Sequence, residues 1–328
     1  MLIWIPAHIY VQGNFMTSFY NKHTKKHNLN ITLKGEIQMG NSYKKVIKKM
    51  KNDASKSGGS SETNEMLQHI RLAQESDLEI RKNQLYNVLN SAERLLEGYY
   101  SQMTYTAQHP IFSYIKIFTD AIQNQQAVEV LKNGRDNLQL DDSIYFNTVE
   151  ALYHPINNIL FRDIWEHAKR YELKDLVVSN GRDPILASIW TSDRIVDNVT
   201  NIGKGMSNKH YYEQGMYKDN SFKYIPTNHM TSYIYPLGIT QVKNGHHSIF
   251  AGMNKGEGEF IAEEIYDVSY LYDIYHFDGT YLVNEETGDK EAIIFEIGAI
   301  FEIGRLLLLY PDVFPFDLNS LTVDEEFN

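Results

Sequence analysis

Cysteine is absent from this chain. Disulfide cross-links, thiolate metal sites and cysteine nucleophiles are therefore excluded, and the absence suits a cytosolic protein. Long apolar runs are missing as well. No window approaches the roughly 18 consecutive apolar residues that a membrane-crossing helix needs. The greasiest run, Leu306–Tyr310, is short and follows Arg305. Several catalytic signatures have no counterpart. Gly203-Lys204-Gly205 lacks the upstream glycine and the following Ser or Thr of a phosphate-binding P-loop. Gly256-Glu257-Gly258 lacks the third glycine of a dinucleotide fingerprint and precedes an expected strand rather than a helix. No serine stands in a Gly-x-Ser-x-Gly elbow, and neither His-x-His nor His-Glu-x-x-His spacing occurs.

What is present is an ordinary globular composition with an uneven charge. Of 328 residues, 42% are hydrophobic and 22% charged, which predicts a buried core in one large domain or two of usual size. The formal net charge is −11. Residues 1–58 hold ten lysines against Glu36 and Asp53, so the remainder carries −19. An acidic body disfavours nucleic acid, whose phosphates it repels. The basic stretch reads as a solvated, disordered extension, with early protease cleavage expected near Lys48–Lys56. Its apolar part, Met1–Val11, precedes its basic part, the reverse of a secretory signal. Lys34-Gly35-Glu36 can be encoded by a ribosome-binding sequence just ahead of Met39, so translation is expected to start at Met39.

Periodicity divides the rest. Residues 1–61 read as extension and linker, the latter the Ser/Gly stretch Ser55–Ser61. Residues 62–179 read as helical. Leu85, Val88, Leu89, Ala92, Leu95, Leu96, Tyr99 and Met103 recur at the spacing of one buried helix face. Pro110 suits the first position of a second helix, and a third is expected from Pro155 to about Leu173. Residues 180–316 read as an α+β domain, followed by an acidic tail, 317–328. Asp183-Pro184 resembles a helix start, predicting a helix over Ile185–Asn201. From Lys223 onward strands are expected at Met230–Val242, Gly258–Val268, Thr280–Val283 and Glu291–Glu296, then a helix Ile297–Leu309. The fold class is thus α+β, a helical layer followed by a mixed sheet.

The candidate site is Gly238–Gly258, where glycines, two histidines and a lysine crowd together. Glycine serves where the backbone turns with positive φ or approaches a ligand closely. The expected ligand-binding residues are Gly245, His246, His247, Ser248, Lys255 and Arg194, with His246 and His247 as the candidate proton-transfer groups. Two conformations are open. Asn244-Gly245 between apolar runs is the signature of a type I′ hairpin, which would put His246, Ser248 and Phe250 on one strand face. A strand–turn–helix would instead aim backbone N–H groups at an anion. Metal binding would draw on His246, His247, His229, His276 and Asp278, but the spacing favours no metal site. No cofactor follows from the sequence. Trp165 and Trp190 are expected in the core on apolar helix faces. The echo of Phe295–Gly298 in Phe301–Gly304 reads as a packed strand-to-helix junction, with Glu302 able to pair with Arg305.

The ordered blocks Arg182-Asp183-Pro184-Ile185-Leu186, Arg194, Pro236–Ile239, Asn244–Ser248, Gly256–Gly258, Tyr266–Ser269, Asp278-Gly279 and Ile300–Arg305 resemble a family of bacterial proteins of unknown function. That resemblance implies a common C-terminal domain over roughly residues 180–306. The order strand, Gly245-His246-His247-Ser248 turn, helix and strand also resembles the ParB and sulfiredoxin fold. Ser248 stands where that fold places an arginine, and His246 stands where sulfiredoxin chemistry needs a thiol. Two functions follow as expectations: a domain binding a phosphate-bearing small molecule or nucleotide at Gly245–Ser248, or a non-catalytic interaction protein of a bacterial mobile element.

Overall fold

The computed structural model describes residues 61–98, 108–133 and 168–322. All of them lie within one compact unit, Gln38–Asn328. Outside the described residues fall the extension with its Met39 start and protease-sensitive stretch, Tyr99, Met103, the helix expected before residue 168 with Trp165, and the last six residues.

Two helices come first, α1 (Ser61–Leu96) and α2 (Pro110–Asn133). The α1 stripe behaves as its spacing requires: Leu85, Ala92 and Leu96 are buried, and Val88, Leu89 and Leu95 pack against the core. Proline opens α2, where a missing N–H costs nothing. The preceding His109 supplies the cap with its ring, its Nδ1 accepting the N–H of Ile111 at 3.2 Å.

A five-stranded mixed sheet follows, in the order β1-β7-β5-β6-β2. Its strands are β1 (Lys169–Ser179), β2 (Ile185–Leu186), β5 (Thr231–Tyr235), β6 (Ile239–Val242) and β7 (Glu259–Asp267). Between them lie α3 (Ser192–Asn201), α4 (Lys209–Glu213), the small ribbon of β3 (Gly203–Ser207) and β4 (Asp219–Asn220), and α5 (His246–Lys255). A three-stranded sheet of β8 (Tyr275–Phe277), β9 (Tyr281–Asn284) and β10 (Lys290–Ala292) precedes α6 (Phe295–Leu307).

The α+β class stands, but several boundaries differ from the sequence reading. Residues 169–173 are strand, not helix, and strands β1 to β4 all precede Lys223. Ala168 and Tyr171 fit a helical period, yet so short a stretch also fits alternation, and pairing of β1 with β7 decides the matter. The helix expected at Ile185 begins only at Ser192. Asp183 caps backward instead of forward: its carboxylate accepts the Ser179 N–H at 2.6 Å and closes the turn onto β1. Gln123 of α2 then takes both backbone groups of Ala187, which holds that stretch extended. The single strand Met230–Val242 is a hairpin, β5 and β6 folding back around the cis peptide Tyr235-Pro236.

The helices and the sheet share one core. Ile111, Phe112 and Ile115 of α2 join Ile234 and Ile265 of the sheet, Ile249 and Phe250 of α5, and Ile300, Phe301 and Ile303 of α6. The Phe-Glu-Ile-Gly echo has a packing cause. An added Cβ at Gly298 would meet the Phe277 ring at 2.5 Å, and one at Gly304 would strike the Tyr272 hydroxyl. Each glycine seats one aromatic side chain. Glu302 accepts the Phe277 N–H at 2.8 Å and pairs with Arg305 at 2.7 Å, and Arg305 also holds the carbonyls of Tyr272 and Tyr275. The acidic tail starts in contact with this core, since Leu318 and Leu321 pack on it.

Candidate functional site: the Gly245 turn and the α3–α5 junction

Asn244-Gly245 does not make a hairpin. A type I′ turn needs positive φ at both central residues, and among the described residues no non-glycine has one. Gly245, at φ 82°, is instead the left-handed N-cap of α5. A Cβ there would lie 2.5 Å from the His229 ring and 2.8 Å from the Asn228 carbonyl. Chain β6, turn, α5 and β7 therefore run strand–turn–helix–strand, and His246 and His247 occupy the first helical turn.

Both nitrogens of His246 are in use. Its Nδ1 accepts the Ser188 N–H at 3.0 Å, which leaves Nε2 as the donor to the Lys243 carbonyl at 3.1 Å. Burial lowers its pKa, partly opposed by the bond to Lys243. A neutral imidazole fixed in one tautomer by two backbone groups is a structural clasp. The same logic disposes of Ser248. His229 accepts the Ile225 N–H through Nδ1, so its Nε2 donates to Ser248 Oγ at 2.9 Å, and Ser248 donates to the Gly245 carbonyl at 2.9 Å. A histidine that donates to a serine cannot take that serine's proton.

His247 differs. It is only 4% exposed, and its Nε2 has no hydrogen-bond partner. Burial, then the charges of Arg194 and His246, lower its pKa to about 4. Its ring meets the edge of Trp190 at 4.4 Å, and Arg194 lies over the same indole at 6.0 Å. Trp190 is thus not on a helix face; it sits in the approach to α3 and wedges against both histidines. Thr191, the N-cap of α3, makes no capping bond with its side chain, and its Oγ1 is also buried without a partner. The structure brings together His247 and Arg194 of the expected residues around Trp190, which Thr191 follows in the chain. Lys255 is separated from them, because nine residues of helix put it roughly 13 Å from His246 along α5.

The other glycines answer to packing. A Cβ at Gly252 would strike the Asn180 amide, whose Nδ2 donates to the Glu257 carbonyl at 3.0 Å. The Glu257 carboxylate accepts the N–H groups of Lys204 and Phe222. Close approach of protein to protein, not protein to ligand, thus explains this part of the block. Among the described residues no group of three or more His, Asp or Glu could hold a metal ion. His276 pairs with Glu285, and Asp278 accepts the N–H groups of Thr280 and Tyr281.

One charged cluster escaped the sequence reading. Glu264, buried in β7, accepts from Ser232 at 2.5 Å and pairs with Lys243 and with Arg170, the latter at 2.7 Å. Burial raises its pKa, but the bonds from Lys243 and Ser232 and the two cations outweigh burial, and the net shift is downward. The signal was available: Glu264 falls in phase with Phe260, Ala262 and Tyr266 at the strand period.

A family model covers most of the chain, residues 18–311, and is described as a family of unknown function, DUF6710. The chain belongs to this family. No curated protein matches it, and no solved structure does; the resemblance to the ParB and sulfiredoxin fold gains no support from them.

Proposed function

We propose that this family member is a cytoplasmic binding protein that holds a phosphate-bearing small molecule at the α3–α5 junction. His247, Thr191 and Arg194 are the groups assigned to the ligand. One observation carries the reading: His247 Nε2 is buried without a partner within reach of the Arg194 charge, and Thr191 Oγ1, at the N-cap of α3, is buried without a partner as well. Such orphans are costly unless something occupies them. A neutral His247 can donate through Nε2, Thr191 can donate its hydroxyl, and a helix N-terminus carries partial positive charge. Arg194 supplies the charge that selects an anion. Of the other expected ligand residues, His246 and Ser248 hold the turn and Lys255 is too far along α5 to share in it.

The second reading, a non-catalytic interaction protein, is favoured by the same saturation of His246, Ser248 and His229. Thermal shift separates the two. Inorganic phosphate, nucleoside mono- and triphosphates and divalent metal ions are screened against wild type, His247→Phe and Arg194→Ala. His246 is left intact because it clasps the backbone. A ligand at a hundred times its Kd adds about 2.7 kcal/mol to the wild type, and both variants should lose that gain. Equal stabilisation of all three proteins would leave the junction structural and the interaction reading standing.

A further inference from the structure

The β1–β2 turn, the β5–β6 hairpin and the start of α2 enclose a recess away from the histidines. Its inner space is about 60 Å³, within a funnel of about 420 Å³ that includes open solvent. Tyr233, Thr240, Asp183 and Arg182 line it, with Phe112 and Val178 among its apolar walls. Tyr233 and Thr240 are partners in the β5–β6 register, so their side chains leave the sheet on the same face. Both residues are buried, and each carries a hydroxyl able to donate a hydrogen bond. Burial and then the charge of Asp183 push the Tyr233 hydroxyl well above the ordinary tyrosine range. The carboxylate is therefore close enough to be felt without being bonded.

The charges in the recess cancel. Arg182 grips Asp183 with two bonds of 2.9 Å, Nε to Oδ1 and Nη2 to Oδ2, and Oδ2 also accepts the Ser179 N–H. That leaves Oδ1 with acceptor capacity to spare. We infer that this recess binds a small neutral group that both donates and accepts hydrogen bonds, a hydroxyl or a primary carboxamide. The donor of such a group satisfies Asp183 Oδ1 while its oxygen accepts from Tyr233 or Thr240. A carboxylate would face Asp183, and an ammonium would compete with Arg182 for it. Size sets the other limit. A water needs roughly 10–15 Å³ of such space and benzene fills a cavity near 150 Å³, so the recess takes a few heavy atoms and not a nucleobase.

The test is saturation-transfer NMR on the full chain with acetamide, ethylene glycol and acetate as probes. Acetamide and ethylene glycol should receive saturation and acetate should not. Tyr233→Phe, which removes one oxygen and no packing volume, should weaken acetamide about fivefold, the worth of one hydrogen bond. Thr240→Val is the second variant, read if Tyr233→Phe does not melt cooperatively. The inference is overturned if wild type shows no transfer from either neutral probe, if acetate binds as well as acetamide, or if the folded variants bind acetamide like wild type. The wild-type comparison of acetamide with acetate decides even if neither variant folds. None of these outcomes touches the α3–α5 junction, whose probe is phosphate.

Discussion

At the scale of single residues, the two adjacent histidines do different work because they meet different neighbours. His246 satisfies two backbone groups, Ser188 N–H and the Lys243 carbonyl. Replacing it with alanine leaves both unpaired, and the expected loss is about 2–4 kcal/mol in urea unfolding. Lys255→Ala, at an exposed helix end, should stay within about 0.5 kcal/mol. His247 sets a pH dependence instead. Its pKa falls from 6.5 to about 4 on folding, so the unfolded chain takes up the proton first as pH drops. Its stabilising contribution is complete above 6.5 and is lost as pH falls toward 4, by roughly 3 kcal/mol. His246, His229 and His109 shift the same way through burial. Chemical denaturation across pH 4–7 checks this, and His247→Phe should flatten the curve. A profile unchanged in that variant would show that His247 is not the group responsible.

At the scale of elements, α5 and α6 are each held by glycines that admit a neighbour. Gly252→Ala would force a methyl group into the Asn180 amide and to within 3.0 Å of the Glu257 carbonyl. The expected cost is about 1–3 kcal/mol, seen as a lower melting temperature with the turn still helical. In α6, Glu302 joins the helix to β8 through the Phe277 N–H and balances Arg305. Glu302→Ala strands a half-buried guanidinium and a buried N–H together, and about 3–5 kcal/mol should be lost. A measured loss under 1 kcal/mol would mean that Arg305 finds compensation in the two carbonyls it already holds.

At the scale of the whole molecule, the helices and the sheet stand or fall together. α1 and α2 bury Leu96, Ile111, Phe112 and Ile115 in the core that the sheet uses, and β1 covers β7 from before residue 180. A fragment of residues 180–316 therefore exposes the edge of β7 and the apolar surface under α2. It should aggregate or bind a hydrophobic dye where the full chain does not. No helix among the described residues is long and apolar enough to cross a membrane.

The sequence by itself determined what depends on local order. The α1 stripe, the α2 start at Pro110, β7, β9 and α6 were legible because periodicity and turn residues act over a few neighbours. So was the pairing of Glu302 with Arg305. The class, α+β, follows from those elements alone. Only the tertiary structure decided the rest. Whether Asp183 caps forward into a helix or backward onto Ser179 depends on Gln123 holding Ala187, 64 residues away. Whether Asn244-Gly245 makes a hairpin or a helix cap depends on what the following strand or helix can bury. The candidate site itself divided on the same ground. His246 and His247 are identical letters side by side, and the fold gives one of them the Ser188 N–H and leaves the other, packed against Trp190, with its Nε2 unpaired. Long-range pairing carries no local signature, so it assigns these roles only once the chain is folded.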